Sequence, residues 1–124
     1  MSKILILGFH AINLLLILFY LYPGSLIGHF LYNDNSIQPQ ITRDFLISSN
    51  HFYAFVILSF AGIIAYKNSN KINVLIKYLV SLSIFLELFH IIIPNRNFEF
   101  SDLFGNFLGV ILIITFYKIK NNYV

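Results

Sequence analysis

Six polar side chains recur at defined spacing in an otherwise apolar chain: His51, Glu87, His90, Arg96, Asp102 and Asn106. Glu87-x-x-His90 puts a carboxylate and an imidazole on one face of a helix. Helix bundles hold metals with two such pairs and further carboxylates on facing helices. Here there is one pair, with His51 and Asp102 as its neighbours, so neither a metal nor a cofactor is expected. His51 beside Glu87 could orient and accept a proton, as in a hydrolase. That chemistry needs a placed nucleophile, and Ser83 lies about 6 Å deeper than Glu87 at helical rise. No catalytic residue is therefore assigned. The absence of cysteine removes thiolate chemistry and disulfides.

The elements that carry these residues follow from composition. Of 124 residues, 58% are hydrophobic and 10% charged, against about 25% charged in an ordinary soluble domain. A soluble fold of this size would leave large apolar patches in water. An ordinary soluble enzyme, a nucleic-acid module and a disordered chain are excluded. Eight Lys and Arg lie scattered and form no basic patch, so no nucleic acid is expected.

Four continuous apolar stretches are read as spanning helices, at about 4–22, 45–66, 74–93 and 102–117. A span needs about 20 apolar residues, and the fourth spans only if it starts near Phe100 or the bilayer thins locally. The first is an uncleaved span, since its run is long and no Ala-x-Ala site follows. Pro23 and Gly24 end it, Ser25–Tyr32 reads as interfacial or re-entrant, and Asn33–Thr42 is a loop. The fold expected is an all-α membrane bundle of four helices in a single domain, without internal repeats.

Charge sets the orientation. One end holds Lys3, Lys67, Lys71, Lys77, Lys118 and Lys120; the other holds Arg43, Arg96 and all five acids. The two halves carry +6 and −3, and the positive half faces the cytoplasm, with both termini inside. At the outer end Glu87 lies roughly 10 Å below Pro94, His51 about 9 Å and Asn106 about 6 Å below their helix starts. Asn50 and His51, Glu87 and His90, and Asp102 and Asn106 thus share one layer, with Arg43 and Arg96 just above it.

Ser83, Glu87, His90 and Pro94 form one helical stripe, as do Asp102, Asn106 and Gly109. Gly105 and Gly109 make a small-x-x-x-small pair that admits another helix closely, within the chain or between copies. A carboxylate in a membrane helix costs about 2.5–3.5 kcal/mol unless partnered, and the partners expected for Glu87 are Arg96, His51 and His90. His10 and Asn13 in the first span should meet polar atoms of another span. A proton relay is not expected, because the inner half lacks further groups. His29 is solvated, and Tyr20, Tyr22, Tyr66 and Tyr117 suit the interface belts.

Four blocks in order carry a family resemblance: His51-Phe52, Glu87-Leu88-Phe89-His90, Pro94-Asn95-Arg96, and Asp102 through Gly109. The stretch from Ser49 to Ile113 resembles the VanZ-like family. Its members show His-Phe opening a span, then Glu-x-x-Gln, Pro-x-Arg and Asp-x-x-x-Asn-x-x-Gly. The chain carries Ser49-Asn50 where the family has Asp-Lys, His90 for its Gln, and Ile113 for its second glycine. The resemblance implies a small protein of the bacterial cytoplasmic membrane and cell envelope. The namesake is associated with resistance to the glycopeptide teicoplanin.

Two expectations follow for the layer. In one, it holds the headgroup of a membrane lipid or lipid-linked envelope precursor. In the other, it only locks the bundle or docks another membrane protein, an accessory role; an intramembrane enzyme resting on Glu87 and His51 ranks third, behind both. For Asn106, interhelical hydrogen bonding comes first and ligand contact second.

Overall fold

The computed structural model describes residues 2–122. Among them are five helices and no strand: α1 (Lys3–Leu21), α2 (Leu26–Tyr32), α3 (Ser49–Tyr66), α4 (Ile72–Phe89) and α5 (Phe100–Asn122). Four of the five are long and apolar enough to cross a membrane. Their outward faces are apolar too, with Leu7, Leu14, Phe60, Phe85 and Phe116 all exposed. Length and composition mark the chain as a multi-pass membrane protein.

The helix ends have local causes. Tyr22 is extended, as a residue before proline tends to be, and Gly24 takes a φ of 90° that L side chains avoid. Ser25 then starts α2, its Oγ accepting the Gly28 amide at 2.9 Å. Gly28 lies directly against the backbone of Asp34 and Ile37, where no side chain fits. This folds the chain back beneath α2.

Span boundaries differ from the apolar runs. Phe45 and Leu46 are outside α3 and exposed. The helix starts at Ser49, whose amide donates to Asp44 Oδ1 at 2.8 Å. After Phe89 the backbone tightens, with His90, Ile91 and Ile92 each bonding three residues back; Pro94 prevents continuation. The fourth span starts at Phe100 and has 23 residues, about 34 Å at helical rise. That settles its length.

The core is centred on Phe55, Leu58, Leu79 and Val110, all fully buried. Its tightest seam joins α3 and α5. A Cβ at Gly105 would stand 2.7 Å from the Ser48 carbonyl, and one at Gly109 2.7 Å from that of Phe52. The glycine face is therefore filled by α3 of the same chain, which leaves it no room to pair copies.

Gly109→Ala should destabilise the bundle by about 1–3 kcal/mol through overpacking. Gly8, with nothing within 4 Å of its Cβ position, should accept alanine without loss. Equilibrium unfolding of both variants in micelles checks the contrast.

Candidate functional site

The polar layer assembles at the end of the bundle where α1, α3, α4 and α5 meet. Glu87, on the last turn of α4, has no solvent exposure, and His90 and Asn106 are also buried. Glu87 Oε1 accepts the Glu99 amide at 3.1 Å. Its Oε2 has no hydrogen-bond partner among the described residues. It stands 3.2 Å from His90 Nδ1 and 3.8 Å from His51 Nδ1. His90 Nε2 lies 3.0 Å from the Tyr20 carbonyl. A carbonyl only accepts, so Nε2 carries the proton, and a neutral His90 turns a lone pair toward Glu87.

Asn106 organises the other side. Its Nδ2 donates to the Ser83 carbonyl at 3.3 Å, which fixes the amide orientation. Its Oδ1 accepts from the Tyr20 hydroxyl at 2.6 Å and lies 3.1 Å from His51 Nδ1. With the tyrosine proton already committed, both oxygens near Nδ1 of His51 are acceptors, that of Tyr20 at 3.0 Å and that of Asn106 at 3.1 Å, so Nδ1 carries the proton and donates to this pair. The second ring nitrogen, Nε2, then presents a lone pair to Asp102 Oδ2 at 3.4 Å. Hydrogen bonding across helices is thus the role of Asn106.

Arg96 goes elsewhere than expected. Its Nε donates to the Tyr22 carbonyl at 3.1 Å and its Nη2 to that of Phe19 at 2.8 Å. These carbonyls end α1 and have no helical donors. Glu87 instead accepts one backbone amide and stands against the two histidine rings. Asn50 also leaves the layer's interior: its side chain holds the loop through the Pro39 carbonyl and the Ile41 amide at 2.7 and 3.0 Å. Ser49 Oγ adds a bond to the Thr42 carbonyl at 2.6 Å. Arg43 is exposed and lines neither cavity described below.

Tyr20 was not among the candidate residues, and it is not an interface-belt side chain. It is 8% exposed and stacks on His90 with ring centroids 5.7 Å apart. The missed signal is spacing. Phe9, Leu16 and Tyr20 recur at i, i+7 and i+11, the buried stripe of α1. His10 and Asn13 do meet other spans, lying 3.1 Å from the Tyr66 hydroxyl and accepting from that of Tyr78 at 2.8 Å respectively.

Two cavities adjoin the layer. The larger, about 770 Å³, is polar; it is walled by Asp34, Asp44, Glu99, Asp102, Arg96 and a set of Asn, Gln and Ser side chains. Ser36 donates its hydroxyl and amide to Asp34, and the two bonds, the hydroxyl's first, hold that carboxyl below its ordinary range. The smaller, about 390 Å³, is apolar and lies between Phe19, Ile27, Ile41, Tyr53, Ala54 and Ile57. His51, His90 and Arg96 line both. The expectation of no metal rested on one Glu-x-x-His pair. The fold brings His51, Glu87 and Asp102 together, with one donor atom of each within 4.8 Å of the others.

Comparison with known protein families, curated proteins and solved structures returned no match.

Arg96→Ala should leave the Phe19 and Tyr22 carbonyls without their donors. The expected loss is about 1–3 kcal/mol, measurable as a lower midpoint in the same micelle unfolding assay.

Proposed function

We propose that this protein holds the headgroup of a membrane amphiphile at the outer surface of a bacterial cytoplasmic membrane. The observation that carries the reading is the shared wall of the two cavities. A polar chamber and an apolar slot meet at His51, His90 and Arg96, which suits a ligand with a polar head and a hydrocarbon tail. Ile57 and Ile41, on the slot, are exposed on the bundle's surface, so a tail can reach it from the bilayer. Orientation comes from the lysines: the end away from the cavity carries all six and is placed in the cytoplasm with both termini.

The chamber's charge narrows the ligand. Four carboxylates, Asp34, Asp44, Glu99 and Asp102, face Arg96, the single formal cation among the described lining residues. A bare phosphate meets net repulsion there. Hydroxyls, amides and amines find matching acceptors and donors, so a sugar- or peptide-bearing lipid-linked envelope precursor fits better. The resemblance of His51-Phe52, Glu87 to His90, Pro94 to Arg96 and Asp102 to Gly109 to VanZ-like proteins points the same way. It adds glycopeptide tolerance, of the teicoplanin kind, as the process served.

The test is thermal unfolding in nanodiscs with a glycosylated polyprenyl lipid and with its sugar-free phosphate. A ligand at a hundred times its Kd should raise stability by about 2.7 kcal/mol. The native chain should respond to the glycosylated lipid, and Ala54→Phe, which fills the slot, should not. Equal shifts with both lipids remove the headgroup reading, and no shift with either favours the accessory role.

A further inference from the structure

We propose that His51, Glu87 and Asp102 form a binding site for a divalent first-row metal ion of the zinc type. The site opens onto the same polar chamber, but the argument for it does not depend on the amphiphile reading.

Donor geometry is the first argument. His51 Nε2 and Asp102 Oδ2 are 3.4 Å apart. Two donors on a tetrahedral ion, each bonded at about 2.1 Å, stand about 3.4 Å apart. Glu87 completes a set whose donor atoms all lie within 4.8 Å of one another. One imidazole and two carboxylates with a vacant direction toward solvent is the ligand count of an open zinc site. That direction is the polar chamber, which His51 and Asp102 line.

Unmet bonding capacity is the second argument. Glu87 is fully buried, yet its Oε2 has no hydrogen-bond partner among the described residues. At His51 the hydrogen-bond order Tyr20 to Asn106, with Nδ1 also turned to Asn106, leaves Nε2 as a lone pair facing a carboxylate. Two electron-rich atoms at that distance repel unless a proton or a metal ion lies between them, and a metal ion also engages the Glu87 oxygen. Metal-bound histidines show this arrangement: the outer nitrogen donates to a fixed oxygen, and the inner one is freed for the ion. Asn106 and Tyr20 are positioning residues in this scheme. His90 stacks on Tyr20, with its Nδ1 3.2 Å from Glu87 Oε2.

The experiment titrates metal-free full-length protein in nanodiscs with Zn²⁺, by calorimetry and thermal unfolding. One ion per chain should bind, and Glu87→Gln and Asp102→Asn should each weaken binding by about a hundredfold or more. Tyr20→Phe should weaken it by about tenfold, the scale of an outer-partner loss. His29→Gln, at an exposed histidine far along the chain, should bind as the native protein does. Asp102 is 19% exposed at the chamber wall, whereas Glu87 is wholly buried, so its variant remains informative if Glu87→Gln fails to fold. Absence of saturable binding to the native chain overturns the proposal. So does Asp102→Asn binding as tightly as native, or loss of binding in His29→Gln.

Discussion

A carboxyl group with no access to solvent, at the end of an apolar bundle, is the constraint around which this fold is arranged. Burying such a group is expensive unless other elements bring it donors. Glu87 receives the Glu99 amide from the segment leading into α5, and it faces His90 on its own helix and His51 on α3. The Glu99 amide is available only because α4 turns sharply after Phe89 and the chain returns through Pro94 to Phe100. The tight backbone bonds at His90, Ile91 and Ile92 make that turn. Arg96 then fastens the loop to the end of α1.

The second requirement is proximity between α3 and α5. Gly105 and Gly109 let the backbones approach until side-chain carbons would touch carbonyls. At that separation His51 reaches Asn106 and Asp102 together. A wider spacing would open water-sized gaps between them and leave Asn106 without partners. Packing and polar chemistry are therefore one design here: the small residues exist at the level where the polar groups must meet. The loop above is held by the same helix starts, through Ser49 and Asn50, and it roofs the chamber.

Much of this was legible in the chain. Continuous apolar runs identified the spans, and helical spacing put Ser83, Glu87 and His90 on one stripe. The depth of each polar residue followed from helical rise, so the layer could be read before any contact was known. What could not be read was the choice among partners. Arg96 is long enough to reach several acceptors, and the unsatisfied carbonyls of α1 are invisible in a list of side chains. Tyr20 looked like one of many aromatics; only the packing of α1 distinguishes it. The start of α3 was blurred because Phe45, Leu46 and Ile47 are as apolar as the helix, and that of α5 because its first turn carries the polar Ser101 and Asp102. The chamber depends on the path of residues 33–48, which no periodicity describes.

The proposal that this polar end is an accessible chamber on the outside of the membrane is open to a direct test. The chain has no cysteine, so a single introduced thiol reports one position cleanly. Asn97→Cys lies on the chamber wall, and Lys67→Cys follows α3 at the opposite end. Intact cells treated with a membrane-impermeant maleimide should label Asn97→Cys at once and Lys67→Cys only after permeabilisation. Labelling of Lys67→Cys in intact cells, with Asn97→Cys protected until the membrane is opened, would contradict the outward-facing chamber.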